Sequence, residues 1–199
     1  MNETLTLATQ AKIREIINNH IRVIDDLVNF NLNVIQELCE IVTERINAGG
    51  KIFFAGNGGS AADSQHLAAE FIGRFKANRT ALPAVALTTD TSAITAIAND
   101  FGYDEIFRRQ VSALCGPTDV FIVISTSGNS ENLVRAIEEA EKKNTLTVGL
   151  LGKDGGKLGA MVQVPIIVRS YETARIQEAH ILIGHILCEY CDEFFTINY

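Results

Sequence analysis

Hydrophobic and polar positions divide the chain at Gly49-Gly50. Before that pair no Pro or Gly interrupts residues 5–48, and apolar side chains recur at Ile13, Ile16, Ile17, Ile24, Leu27, Val28, Ile35, Leu38, Cys39, Val42 and Ile46. Steps of three and four place them along one helical face, and the glycine pair ends the pattern. A run this long predicts either one extended helix or two in succession, with Asn29-Phe30-Asn31 as the break. It is too apolar for a free surface arm, so it is expected to pack against another subunit. Within one compact domain, residues 1–49 read as a helical oligomerisation segment and 50–199 as the body.

After Gly50 the period changes. Short β-rich runs at 51–54, 84–87, 120–124, 147–151 and 164–168 alternate with helical patterns at 60–74, 91–99, 106–114, 131–143 and 173–195. Alternation of this kind predicts an α/β fold, a largely parallel sheet with helices on both faces. Such sheets bind ligands beyond the carboxyl ends of their strands, where the winding reverses. The loops after strands one and three therefore carry the functional expectation.

Composition narrows the class. With 199 residues, 47% hydrophobic and 21% charged, the chain suits one globular domain with an ordinary core. A net charge of −7 and the lack of any Lys/Arg run argue against a nucleic-acid binder. No apolar run reaches membrane-spanning length, and residues 1–4 do not begin a signal peptide, so the cytoplasm is expected. The four cysteines are too sparse for a disulfide framework and read as reduced. Cys188 and Cys191 have the spacing of a redox or zinc pair, but with no second pair in an apolar helix they read as core.

Candidate chemistry sits in three places. Residues 125–130, Ser125-Thr126-Ser127-Gly128-Asn129-Ser130, follow a strand and open a helix, where hydroxyls and free backbone N–H groups favour a phosphate. Helix capping by Ser130 or Asn129 is the ordinary alternative. The loop after strand one, Gly56-Asn57-Gly58-Gly59-Ser60, lets backbone approach a ligand but lacks a nucleotide fingerprint. On the next helix Asp63, His66, Glu70 and Arg74 follow, with His66 and Glu70 four residues apart on one face, suited to share a metal or act as a proton-transfer pair. The last helix puts Gln177, Glu178, His180 and His185 into apolar surroundings. Gln177 and His185 lie about 12 Å apart along a straight helix and are turned by about 80°. They either share a metal at full reach or belong to a site assembled between neighbouring subunits. His20, in the first helix, reads as structural.

The ordered motifs Gly56–Ser60, Gln65-His66-Leu67-Ala68-Ala69-Glu70, Asn99-Asp100-Phe101-Gly102, Ser125–Ser130, Gly152-Lys153-Asp154-Gly155-Gly156 and Arg175-Ile176-Gln177-Glu178-Ala179-His180 together resemble the phosphoheptose isomerases of the sugar isomerase (SIS) domain superfamily. The resemblance implies a three-layer αβα sandwich with a five-stranded parallel sheet in the flavodoxin-like order 2-1-3-4-5, plus N-terminal helices. It implies a ketose–aldose isomerase converting D-sedoheptulose 7-phosphate to D-glycero-D-manno-heptose 7-phosphate through an enediol, the first step toward the ADP-heptose of lipopolysaccharide core. It further implies a cytoplasmic homotetramer with active sites near subunit interfaces and one zinc per subunit, held by His66, Glu70, Gln177 and His185. Substrate contacts would come from Asn57, Gly58, Gly59, Asn99, Asp100, Ser125, Thr126, Ser127, Ser130 and Gln177, with Glu70 as base and His185 as acid. No nucleic acid or membrane partner is expected. The rival reading is an adaptor of the same fold that binds a DNA-replication initiator. It shares the N-terminal helices, the glycine loop and the Arg-Ile-Gln-Glu motif, but lacks the residue types found here at Glu70 and His185, so the enzyme outweighs it.

Overall fold

The computed structural model describes residues 3–197. Its first element, α1 (Glu3–Asn47), is one helix of 45 residues with no break at Asn29-Phe30-Asn31. Of the two alternatives the single extended helix is the one adopted, although Asn, which can compete for the backbone, makes that point the weakest. Here Asn31 is buried and donates to the Ile167 carbonyl at 3.3 Å, while the Phe30 ring receives the Arg169 guanidinium at 4.6 Å. With those partners elsewhere, the helical ladder stays intact.

Five strands follow: β1 (Ile52–Gly56), β2 (Ala84–Ala86), β3 (Val120–Ser125), β4 (Leu146–Gly152) and β5 (Val164–Val168). All pair in parallel in the order β2-β1-β3-β4-β5, with Ile52 opposite both Ala84 and Val120. The strands β1, β3 and β4 are buried at every residue, as expected where helices cover both faces. On one face Ile52, Phe54, Ile122, Ile124 and Val148 join the C-terminal half of α1, α2 (Gly59–Ile72) and α7 (Thr173–Ile197). On the other, Phe53, Ala55, Phe121 and Val123 meet α4 (Ile106–Leu114) and α5 (Glu131–Lys142) through Phe107, Val111, Leu133 and Ile137. Alternate strand residues thus feed two separate cores, and the three-layer expectation is met.

Boundaries differ from the sequence pattern by a residue or two. α2 stops at Ile72, where Gly73 turns its N–H onto the Ala69 carbonyl, and α3 (Thr91–Phe101) runs past Asn99. The 3₁₀ turn Tyr103–Glu105 and the four-residue α6 (Gly156–Gly159) are not legible in the sequence, since one turn of helix has no period to read. All four cysteines are free and buried, and burial pushes the thiols up, to about 11 for Cys39 and about 12 for Cys115 and Cys188. They are packing residues.

Candidate active site

The sheet reverses its winding between β1 and β3, so the loops leaving their carboxyl ends face one crevice. In the β3 loop Ser125 is buried and its Oγ accepts from the Gly128 N–H at 3.1 Å, while Ser127 Oγ accepts from Asn129 N–H at 3.2 Å. Gly128 has φ +65°, and a Cβ there would lie 1.9 Å from the Gly155 carbonyl oxygen. The turn into α6 is pressed onto this loop and braces it: Leu158 N–H donates to the Gly128 carbonyl and Lys157 N–H to Asn129 Oδ1. Ser130 precedes α5 with extended backbone but makes no side-chain capping bond. The capping alternative is therefore not what the structure adopts. The hydroxyl and the first N–H groups of α5 are left for an anion.

Across the crevice Asn57 forms a reciprocal amide pair with Asn132 of α5, at 3.0 and 2.9 Å, and accepts from the Tyr103 hydroxyl at 3.0 Å. The β1 loop and α5 are thereby locked together. Asn132 and Tyr103 do not stand out in the sequence. The one available signal is an Asn beside Leu133 on a helix face that proves 2% exposed. At the start of α2, a Cβ on Gly59 would stand 2.3 Å from Gln177 Nε2. Only glycine there leaves room for the amide arriving from α7.

The other end of the crevice is built by α2 and α7. His66 Nε2 and His185 Nε2 face each other at 2.9 Å with the rings edge to face, and Glu70 Oε1 lies 3.6 Å from His66 Nε2. Two imidazole nitrogens at that distance share one proton. The Phe75 ring stacks on His185 at 5.2 Å between centroids, tilted 28°. Burial lowers the His185 pKa, the neighbouring His66 lowers it further and Glu70 opposes both, so the ring is neutral at neutral pH. One turn earlier, burial raises the Asp63 carboxyl against the pull of His66, and its Oδ2 is buried without a hydrogen bond.

The structure thus gathers His66, Glu70 and His185 into one cluster and Ser125, Thr126, Ser127 and Ser130 into one loop, with Asn57, Gly58 and Gly59 opposite. Gln177 lies against Gly59, seven residues before His66 and so about 10 Å from it along α2. Asn99 and Asp100 are exposed at the end of α3, with the Asn99 amide donating to Asp100 rather than to either group. His20 has its expected structural role: it pairs with Glu178 at 2.7 Å, and Arg175 bonds both Glu178 and the Ile16 carbonyl. The charged members of the Arg-Ile-Gln-Glu motif therefore hold α7 to α1. His180 is fully buried, and neither ring nitrogen makes a hydrogen bond of good geometry.

Among the described residues no three or more His, Cys, Asp or Glu stand in metal-holding geometry. The cluster of His66, Glu70 and His185 comes nearest. Its two nitrogens and carboxylate are a zinc-type donor set, but nitrogens on one tetrahedral zinc are about 3.3 Å apart, given bonds of 2.0–2.1 Å. The rings would have to part by about 0.4 Å, and Gln177 would have to swing from Gly59.

A parallel αβα sheet with a hydroxyl-rich loop at its switch point and an acid–base cluster opposite defines a SIS-domain protein, and the SIS domain family model matches residues 16–152. Phosphoheptose isomerase of a Nitratiruptor species is 56% identical over 155 residues, covering 78% of this chain and 83% of that protein. The enzyme of that name from Aquifex aeolicus is 47% identical over 182 residues, 92% of this chain and 95% of its own. The solved phosphoheptose isomerase of Neisseria gonorrhoeae superposes with a TM-score of 0.87 at 41% identity, over 93% of this chain and 99% of that one. The chain belongs to the phosphoheptose isomerase family.

Proposed function

We propose that this isomerase acts on D-sedoheptulose 7-phosphate, giving D-glycero-D-manno-heptose 7-phosphate. The observation that carries the mechanism is the facing of His66, Glu70 and His185 across from an uncapped, hydroxyl-lined helix start. The phosphate sits at Ser125, Thr126, Ser127, Ser130 and the α5 N-terminus, where fixed dipoles favour its charge. Asn57, Gly58, Gly59, Gln177, Asn99 and Asp100 hold the sugar hydroxyls. At the far end Glu70 takes a proton from C1 and delivers it to C2, while a proton passes from O1 to O2 through the His185 imidazole. A neutral ring suits that relay, since it both donates and accepts.

We further place one zinc per subunit on His66, Glu70, Gln177 and His185; when bound, it supplies Lewis-acid polarisation of the reacting oxygens. The exposed apolar side chains of α1 support association of copies, and we take the assembly to be a homotetramer with sites near its interfaces. No helix among the described residues is long and apolar enough to cross a membrane, which fits the proposed cytoplasmic setting and a place at the first step toward ADP-heptose.

Conversion of sedoheptulose 7-phosphate, followed by NMR with and without added zinc, tests the reading. Wild type should turn over and Glu70→Gln should lose about 10²–10⁴-fold in kcat. Absence of turnover by wild type in both conditions would overturn it.

A further inference from the structure

Glu70 and His185 lie on different helices, which pack directly on each other, Leu67 of α2 against Gly184 of α7 and His66 against His185. The connection from α2 to β2, residues 73–83, adds a buried polar tie between them. Its Arg79 side chain is 0% exposed and ion-paired with Asp192 of α7, itself 2% exposed, at 2.6 Å. The same guanidinium donates to the carbonyls of Glu70 at 3.0 Å, Phe71 at 2.9 Å and Thr80 at 3.0 Å. Those of Glu70 and Phe71 are among the last four carbonyls of α2, which the helix cannot satisfy internally. Asp192 uses its second oxygen for the N–H groups of Lys76 at 2.6 Å and Ala77 at 2.8 Å. Phe75, adjoining this anchor, lays its ring on His185.

We propose that Arg79 and Asp192 are positioning residues for the isomerisation: one buried ion pair fixes the end of α2 that carries Glu70 and, through Phe75, the ring plane of His185. This rests on the isomerase reading above. A guanidinium suits the task because its planar fork reaches a carboxylate and three carbonyls at once, which a Lys ammonium cannot. Lys76 reaches Glu189 at 2.6 Å, but that pair is largely exposed and holds little. A catalytic group displaced by about 1 Å loses on the order of 10²-fold in rate while substrate held elsewhere still binds. The phosphate loop lies on β3 and α5, outside the reach of this anchor, so affinity should be spared.

Two measurements on the full chain test it. With [¹³Cε1]-histidine labelling the protein shows four ring signals. The His185 signal, assigned by its loss in His185→Gln, should move in Arg79→Lys, Asp192→Asn and Phe75→Leu as the ring current of Phe75 is lost, while that of His20 stays. In kinetics the same three variants should lose about 10- to 100-fold in kcat with KM within about twofold, and Phe75→Tyr should recover to within about threefold of wild type. Asp192→Asn combined with Phe75→Leu should be no slower than the worse single variant, because loss of the anchor already frees the Phe75 ring. Ile137→Val, in the opposite core, controls for lost stability and should keep its kcat. An unmoved His185 signal in a folded Arg79→Lys protein, multiplicative kcat losses, or losses confined to KM would overturn the proposal. Inactive wild type would instead overturn the isomerase reading, with the histidine signals still deciding the positioning claim. Should Asp192→Asn fail to fold, Arg79→Lys and the Phe75 variants probe the same anchor from its other side and decide the claim alone.

Discussion

His180 shows what a single side chain contributes to the pH response. Burial drives its pKa down to about 4, against a partial pull from the Leu151 backbone, so it folds as a neutral ring. Above pH 6.5 neither the folded nor the unfolded chain protonates it. Between pH 6.5 and about 4 only the unfolded chain takes up the proton, and stability falls as pH drops. The loss can reach roughly 3 kcal/mol, at about 1.4 kcal/mol per pH unit. Urea unfolding at about pH 7 and about pH 4.5 should therefore show wild type losing about 2–3 kcal/mol more than His180→Phe; equal losses would remove the assignment. Ser127 gives the complementary prediction for binding: Ser127→Ala should raise KM several-fold and leave the pH profile of kcat in place, an outcome read from initial rates. The residues that sequence exposes best are those whose spacing is local. His66 and Glu70 are paired by helical periodicity alone, whereas Arg79, Asp192, Phe75, Asn132 and Tyr103 find their partners only after distant segments meet. An Arg in a polar loop looks like a surface charge until the fold covers it.

Among the elements, the strands and most helices are legible because a two-sided sheet demands unbroken apolar runs and its helices a 3.6-residue stripe. The order of the strands comes with the family resemblance, since spacing along the chain does not say which strands adjoin. α1 is legible as helix but not as a single one, because the partners of Phe30 and Asn31 lie on and after β5. The loop after β3 depends on the turn before α6, a dependence sequence does not reveal. Gly128→Ala brings a Cβ onto the Gly155 carbonyl at a positive φ, so the two turns must separate. We expect a loss of about 1–3 kcal/mol in thermal stability and weaker sugar-phosphate binding, measured by calorimetry; unchanged affinity would mean that the loop does not hold the phosphate. Gly59→Ala should act differently, displacing the Gln177 amide without straining the backbone.

For the molecule as a whole, α1 is about 68 Å long, while a body of about 150 residues has a radius of gyration of about 15 Å. Among the described residues of α1 the first buried one is Leu27, and Ile13, Ile17, Ile21, Val28 and Leu32 are each half or more exposed. Ile17→Glu and Val28→Glu should shift the mass measured by light scattering toward the single chain, and an unchanged mass would show that this face is not the interface. The same uncovered helix has a further consequence. If its apolar face is covered only by other copies, the free energy that keeps each chain folded includes a term in the logarithm of its own concentration. Heat unfolding should then begin at lower temperature in dilute solution than in concentrated solution. An assay run far below the cellular concentration would measure assembly as well as chemistry.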